Sequence, residues 1–186
     1  MEEDGYEFGR RQTGRTSQNA MSIQNVVDIY KHSKVPKLGD KHKEPFVIFV
    51  VNLKGGVSKT VTTVTLAHGL RAHPGLLHND LRILVIDLDP QASSTMFLSH
   101  TNSVGSVLET AAQAMLNDVS TEQLREQFVK PTVMPGVDVM PASIDDGFVA
   151  SDWDALVAEN LPGVAPSEVL RRNVIDRLAD DYDFIF

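Results

Sequence analysis

Nine residues, Asn52-Leu53-Lys54-Gly55-Gly56-Val57-Ser58-Lys59-Thr60, stand directly between an apolar run and a stretch of helix-forming composition. No other feature constrains the fold as much. The run before them, Phe46-Val47-Ile48-Phe49-Val50-Val51, is rich in β-branched residues, as expected of a parallel strand buried on both faces. The stretch after them, Thr60 to His73, reads as a helix that stops before Pro74-Gly75. A glycine pair between strand and helix lets the backbone curl closely round a ligand. Amides from Gly56 to Thr60 can then point inward as a nest for an anion, and the helix N-terminus adds unpaired donors and a positive dipole end. Lys59 supplies charge for β- and γ-phosphates, and the Thr60 hydroxyl suits a Mg²⁺ held between them. The common pattern G-x-x-x-x-G-K-[ST] does not fit, because its glycines would fall on Leu53 and Ser58. What fits is K-G-G-x-x-K-[ST], with an additional lysine at Lys54.

A second apolar strand, Leu81 to Asp87, runs into Asp87-Leu88-Asp89-Pro90-Gln91. Ligands of open α/β sheets sit at the carboxyl ends of the strands, so these acids are expected beside the phosphate loop. Strand alternation predicts Asp87 and Asp89 on one side. One acid can support a metal through water while the other orients an attacking water, with Pro90 turning the chain away. Asp89-Pro90 is also a plain turn initiator, the competing reading.

The remaining pattern continues the alternation. Met96 to Leu98 and Val107 to Leu116 read as helical, and Ser120 with Gln123 forms a capping box. Val137 to Met140 reads as a strand, and Ser143 with Asp146 as a second box opening a helix toward Ser151. Glu168 to Leu178 is an amphipathic helix, and Tyr182 to Phe186 begins another strand. The expected fold is an α/β parallel sheet with right-handed crossovers. Residues 1–44 differ in character. Residues 1–18 read as polar and frayed, residues 19–31 as an amphipathic helix, and Lys37 to Glu44 as a solvated linker, which places a domain boundary near Glu44. Residues 1–45 carry eight Lys/Arg against seven Asp/Glu, and residues 46–186 nine against eighteen. The net charge of −8 argues against a nucleic-acid-binding surface all round. With no cysteine, disulfides, cysteine zinc sites and thiol chemistry are excluded within these residues. The longest apolar run, six residues, is far short of a membrane span. Trp153 reads as a packing anchor, and Asp145-Asp146 as helix N-terminal acids.

Lys54-Gly55-Gly56-Val57-Ser58-Lys59-Thr60 together with Asp87-Leu88-Asp89-Pro90-Gln91 resembles the deviant-Walker ATPases of the ParA plasmid and chromosome partition family. The likeness extends over Pro45 to His100 and Pro135 to Trp153, and it points to the long plasmid forms with an N-terminal DNA-binding extension. Arg15-Thr16-Ser17-Gln18, a helix, and Val35-Pro36-Lys37 resemble the end of their helix-turn-helix region. The resemblance implies a P-loop NTPase domain at 45–186 after a partial helical extension at 1–44. It implies ATP and Mg²⁺ bound by residues 54–60, with Thr60 and Asp87 at the metal. Lys54 would match the signature lysine that reaches the partner's ATP in a nucleotide-sandwich dimer, and Asp89 the acid that positions the hydrolytic water. The implied function is plasmid segregation by a weak, cytoplasmic, nucleoid-associated ATPase. Its implied partners are a ParB-type centromere-binding protein and DNA, both operator and nonspecific. Autorepression of its operon would accompany it, and a DNA-binding repressor or an inactive fragment is the alternative. In most of the family a glycine stands where Ser58 stands here. The family's third motif, an apolar strand followed by an aspartate, would come after Phe186, so the resemblance implies a fragment.

Overall fold

The computed structural model describes residues 9–13, 16–31, 35–52, 56–99 and 109–186. Its centre is a five-stranded sheet. In chain order the strands are β3 (Phe46–Val47), β4 (Ile83–Ile86), β5 (Lys130–Pro131), β6 (Val137–Met140) and β7 (Phe184–Ile185). In space the order is β3-β7-β4-β6-β5, parallel throughout except for β5, which runs antiparallel to β6. Two further strands, β1 (Gly9–Thr13) and β2 (Thr16–Ala20), form a separate antiparallel ribbon before the sheet begins.

Side-chain alternation along β4 divides the core in two. Ile83 and Val85 face one layer, with Val137 and Val139 of β6 and Ala67 of helix α3 (Lys59–Ala72). Leu84 faces the other layer, with Met140 and Ile185. That second layer is closed by α5 (Ala111–Leu116), α8 (Trp153–Asn160) and the helical run that ends in α9 (Asp176–Leu178). Helices on both faces account for the continuous apolar reading of β4, since each side chain there has a covering layer. Fully burying one such aliphatic side chain stabilises by about 1.5–3 kcal/mol.

The helix expected at 168–178 is present, entered through a 3₁₀ turn at Pro166–Glu168 and widened to a π turn at Arg171–Ile175. The capping box at Ser120 is formed in full, opening α6 (Thr121–Gln123). The box at Ser143 is half formed. Asp146 Oδ2 accepts the Ser143 amide at 2.8 Å, but the Ser143 hydroxyl accepts from Asp145 at 3.4 Å rather than from Asp146. Asp146 instead accepts from the Thr110 hydroxyl at 2.8 Å, which ties the start of α5 to α7 (Asp146–Ser151). Trp153 packs against the second core layer, as an anchor should.

Two expectations need correction. The run 46–51 is not a strand buried on both faces. It pairs on one side only, with β7, and the last rung is the Ile48 amide donating to the Ile185 carbonyl at 2.8 Å. Phe49 is 64% exposed and Val51 79% exposed. The second correction concerns the frayed reading of residues 1–18, whose described part is the β1–β2 ribbon. All-polar strands such as Thr16-Ser17-Gln18-Asn19 have no apolar period to reveal them. The segment that resembles the end of a helix-turn-helix region therefore contributes β2 from Thr16 onward, with Arg15 outside the described residues.

Before the sheet, α1 (Ile23–Lys31) buries Val27 completely and packs on the 3₁₀ turn Pro74–Asn79, where the rings of Tyr30 and His78 lie 6.1 Å apart. The linker carries one helical turn, α2 (Leu38–Lys41), and the Leu38 amide donates to Asn79 Oδ1 at 2.8 Å. This contact lies at the amino end of β4, opposite the phosphate loop.

Candidate functional site

The sheet's carboxyl ends and the N-terminus of α3 enclose a cavity of about 680 Å³. Four of the expected side chains line it together: Lys59, Thr60, Asp87 and Asp89. Asn52, Thr63 and Ser94 also line it, and no role is expected of them from the sequence motifs.

The loop reaches α3 through two left-handed residues. Gly56 has φ +70°, and Ser58, the residue before the helix, has φ +62°. Both conformations favour glycine, so the glycine pattern is half kept and half replaced at a strained position. The Ser58 carbonyl already accepts the Thr62 amide at 2.8 Å, so helical bonding starts here. The amides that follow open toward the cavity as an anion-binding helix start. Gly56 and Val57 are exposed, while Lys59 and Thr60 are half-buried. Lys54 and Gly55 lie outside the described residues.

Asp87 is buried and heavily bonded. Its Oδ2 accepts the Thr95 amide and the Thr95 hydroxyl, each at 2.8 Å, and its Oδ1 accepts the Asp89 amide at 3.3 Å. Burial pushes the Asp87 carboxyl above the ordinary carboxylate range, and the bonds from Thr95 and Asp89 oppose that shift. Thr95 belongs to α4 (Ser93–Leu98), whose first flanking residue, Ala92, has no side chain able to cap it. Asp87 therefore does from the strand end what a capping residue would do. Asp89 Oδ1 accepts the Gln91 amide at 2.9 Å. Because β4 ends at Ile86, the two acids meet the cavity through this turn rather than through strand alternation. The turn-initiator reading of Asp89 and its site reading are thus both true of the geometry. Thr95 escapes the sequence motifs because its signal is a buried hydroxyl eight residues beyond Asp87, visible only once the turn is folded.

The donor set is chemically consistent with a nucleotide and its metal. A hydroxyl and a carboxylate are hard oxygen ligands suited to Mg²⁺, and a lysine at a helix start suits phosphate.

Comparison with known proteins agrees with this layout. Residues 46–186 match the family model described as an AAA domain, and residues 1–42 match the ParA helix turn helix domain. The chain is 63% identical over 185 residues to plasmid partition protein A of Escherichia coli, covering 100% of this chain and 46% of that protein. It is 30% identical over 141 residues to the chromosome partitioning protein ParA of Myxococcus xanthus, covering 75% of this chain and 42% of the relative. A solved structure titled as a partition protein superposes with a TM-score of 0.83 at 63% identity, covering 100% of this chain and 50% of that one. A Cyanothece McdA variant solved in complex with ATP shares the fold, at 20% identity and a TM-score of 0.56, covering 76% of this chain and 46% of that one. The chain spans about half the length of the curated relatives it matches. By its two domain matches and its likeness to a plasmid partition protein along its whole length, the chain belongs to the ParA family of partition proteins.

Proposed function

We propose that this chain supplies the ATP-binding part of a plasmid-partition ATPase, residues 45–186, joined to the end of a DNA-binding extension, residues 1–44. The observation that carries the reading is the convergence of Lys59, Thr60, Asp87 and Asp89 on one cavity at the start of α3. In this reading Lys59 and the amides of Gly56 to Thr60 hold the phosphates, with Lys54 and Gly55 completing the loop. Thr60 and Asp87 would hold Mg²⁺, which when bound offsets phosphate charge. Asp89 orients the water that attacks the γ-phosphate, and Lys54 acts across a nucleotide-sandwich homodimer. Phosphoryl transfer to water needs positioning and charge neutralisation more than covalent chemistry, so a lysine delivered only on dimerisation would couple hydrolysis to assembly.

Segregation of plasmid DNA with a ParB-type partner, nonspecific and operator DNA binding with autorepression, and a nucleoid-associated cytoplasmic location follow from the same reading. Among the described residues no helix is long and apolar enough to cross a membrane. The exposed ribbon of β1 and β2, with Arg10, Gln12, Gln18 and Asn19, supports a DNA contact before the ATPase part.

The test is titration with a fluorescent ATP analogue. The unmodified chain binds it, and Lys59→Ala binds at least about tenfold more weakly, as loss of a charge-assisted phosphate contact implies. Equal affinity in the two proteins removes the phosphate-loop reading. Hydrolysis by the full-length protein that survives Asp89→Ala removes the assignment of Asp89.

A further inference from the structure

Thr95 does not line the cavity, yet it controls one of the groups that does. It is 1% exposed. Its hydroxyl accepts the Ala142 amide at 3.0 Å, so its single proton is committed to Asp87 Oδ2, which also receives the Thr95 amide. Two donors on Oδ2 hold the carboxylate against rotation. Oδ1, bonded only to the Asp89 amide at 3.3 Å, is the less committed oxygen. The same hydroxyl links the carboxyl ends of β4 and β6, because Ala142 lies just beyond the end of β6.

We infer that Thr95 is a positioning residue that orients Asp87 with Oδ1 available to the cation, or to a water in its shell, that accompanies the nucleotide. The inference rests on the nucleotide-binding reading above. Partners of a metal's ligands typically set about 10–100-fold of metal affinity, and Thr95 is such a partner for Asp87. It lies within the first turn of α4, so a change at Thr95 reaches the cavity through the carboxylate and not through the phosphate loop.

The experiment measures nucleotide affinity across a Mg²⁺ titration, with a melting curve for each protein. It uses the unmodified chain, Thr95→Val and Thr95→Ser. Thr95→Val keeps the volume and the amide but loses the hydroxyl. Its Mg²⁺ requirement should rise about tenfold, while affinity for metal-free nucleotide changes less than about twofold. Thr95→Ser should restore the unmodified requirement to within about threefold. An unchanged Mg²⁺ requirement in Thr95→Val overturns the inference and leaves the nucleotide reading standing. Failure of the unmodified chain to bind nucleotide overturns both. Should Thr95→Val fail to melt cooperatively, the Thr95 amide resonance of the unmodified, nucleotide-bound chain decides. It should shift when Mg²⁺ is added and stay still when nucleotide is added alone, and an amide indifferent to the metal overturns the inference.

Discussion

Two apolar runs of nearly the same character meet opposite fates in this molecule. Ile83-Leu84-Val85-Ile86 is flanked by β7 and β6 and covered by helices on both faces, and Ile83, Leu84 and Val85 are buried. Phe46 to Val51 has β7 on one side and, among the described residues, no strand on the other, and it stays open from Phe46 through Phe49 and again at Val51. Composition marks both as strands. Burial is a property of the neighbours, and a run of six apolar residues says nothing about how many neighbours it finds. The comparison predicts that equal truncations have unequal costs. Leu84→Ala should lower unfolding free energy by about 2–5 kcal/mol, through lost transfer energy and the cavity left behind. Phe49→Ala, with most of its ring in water, should change it by less than about 0.5 kcal/mol. Urea unfolding of the two variants checks this. A loss above about 2 kcal/mol for Phe49→Ala would break the comparison.

The same contrast separates what could be read from the sequence and what could not. The β4, β6 and β7 strands, α3 and the capped start of α6 were legible because local signals there agree with the tertiary surroundings. The meeting of Lys59, Thr60, Asp87 and Asp89 was legible from a general rule about the carboxyl ends of strands. Strand alternation is not the operative reason for the two acids, since a turn brings them in. Features that escape the sequence share a physical cause. The β1–β2 ribbon is polar on both faces, β5 is two residues long, and the Thr95 hydroxyl, the Arg71 guanidinium and the Asp146 carboxylate are buried polar groups whose partners lie far along the chain. No periodicity announces a partner 36, 47 or 64 residues away.

The next effect sharpens the central half of the comparison. Gly136 precedes β6 with φ +87°, and a Cβ there would stand 2.4 Å from Arg71 Nε. Arg71 is buried and cannot swing aside, because it donates to the Pro135 carbonyl at 2.6 Å and to Asp80 at 2.9 Å. Gly136→Ala should therefore cost about 2–4 kcal/mol, a left-handed penalty near 1–2 kcal/mol with overpacking added. Gly163 has the same φ, but a methyl group there would meet nothing within 4 Å, so Gly163→Ala should cost only the backbone part, about 1–2 kcal/mol. Matched melting curves for the pair isolate the contact with Arg71, and equal losses would show that Arg71 yields.

A smaller effect, of opposite sign, is expected beside the edge strand. Ser58 holds φ +62° with no side-chain hydrogen bond capping α3. Ser58→Gly should raise stability by about 1 kcal/mol or less, the relief of left-handed strain offset by the greater freedom of glycine in the unfolded chain. Thermal melts without nucleotide measure it. A destabilised glycine variant would mean that the serine side chain supplies a contact that outweighs its backbone strain.

The smallest effect belongs to the centre and is read through pH. Asp138 lies in β6, half-buried, and accepts the Tyr182 hydroxyl at 3.0 Å. Burial pushes its carboxyl above the ordinary carboxylate range, opposed by that hydrogen bond, and burial with the facing Asp138 charge pushes the Tyr182 phenol well up as well. A carboxyl raised in the folded state takes its proton more readily there than in the unfolded chain. Its contribution to stability is therefore complete below the ordinary Asp value of about 3.9 and is lost as pH rises through the raised value. An asparagine in its place cannot titrate and still offers an oxygen to Tyr182. Asp138→Asn should accordingly melt higher than the unmodified chain at a pH of about 7, and the gap should close as pH falls toward about 4. A gap that is constant with pH would show that the Asp138 carboxylate is as well solvated in the sheet as in the unfolded chain. The central strands would then tolerate charge as readily as the open edge does.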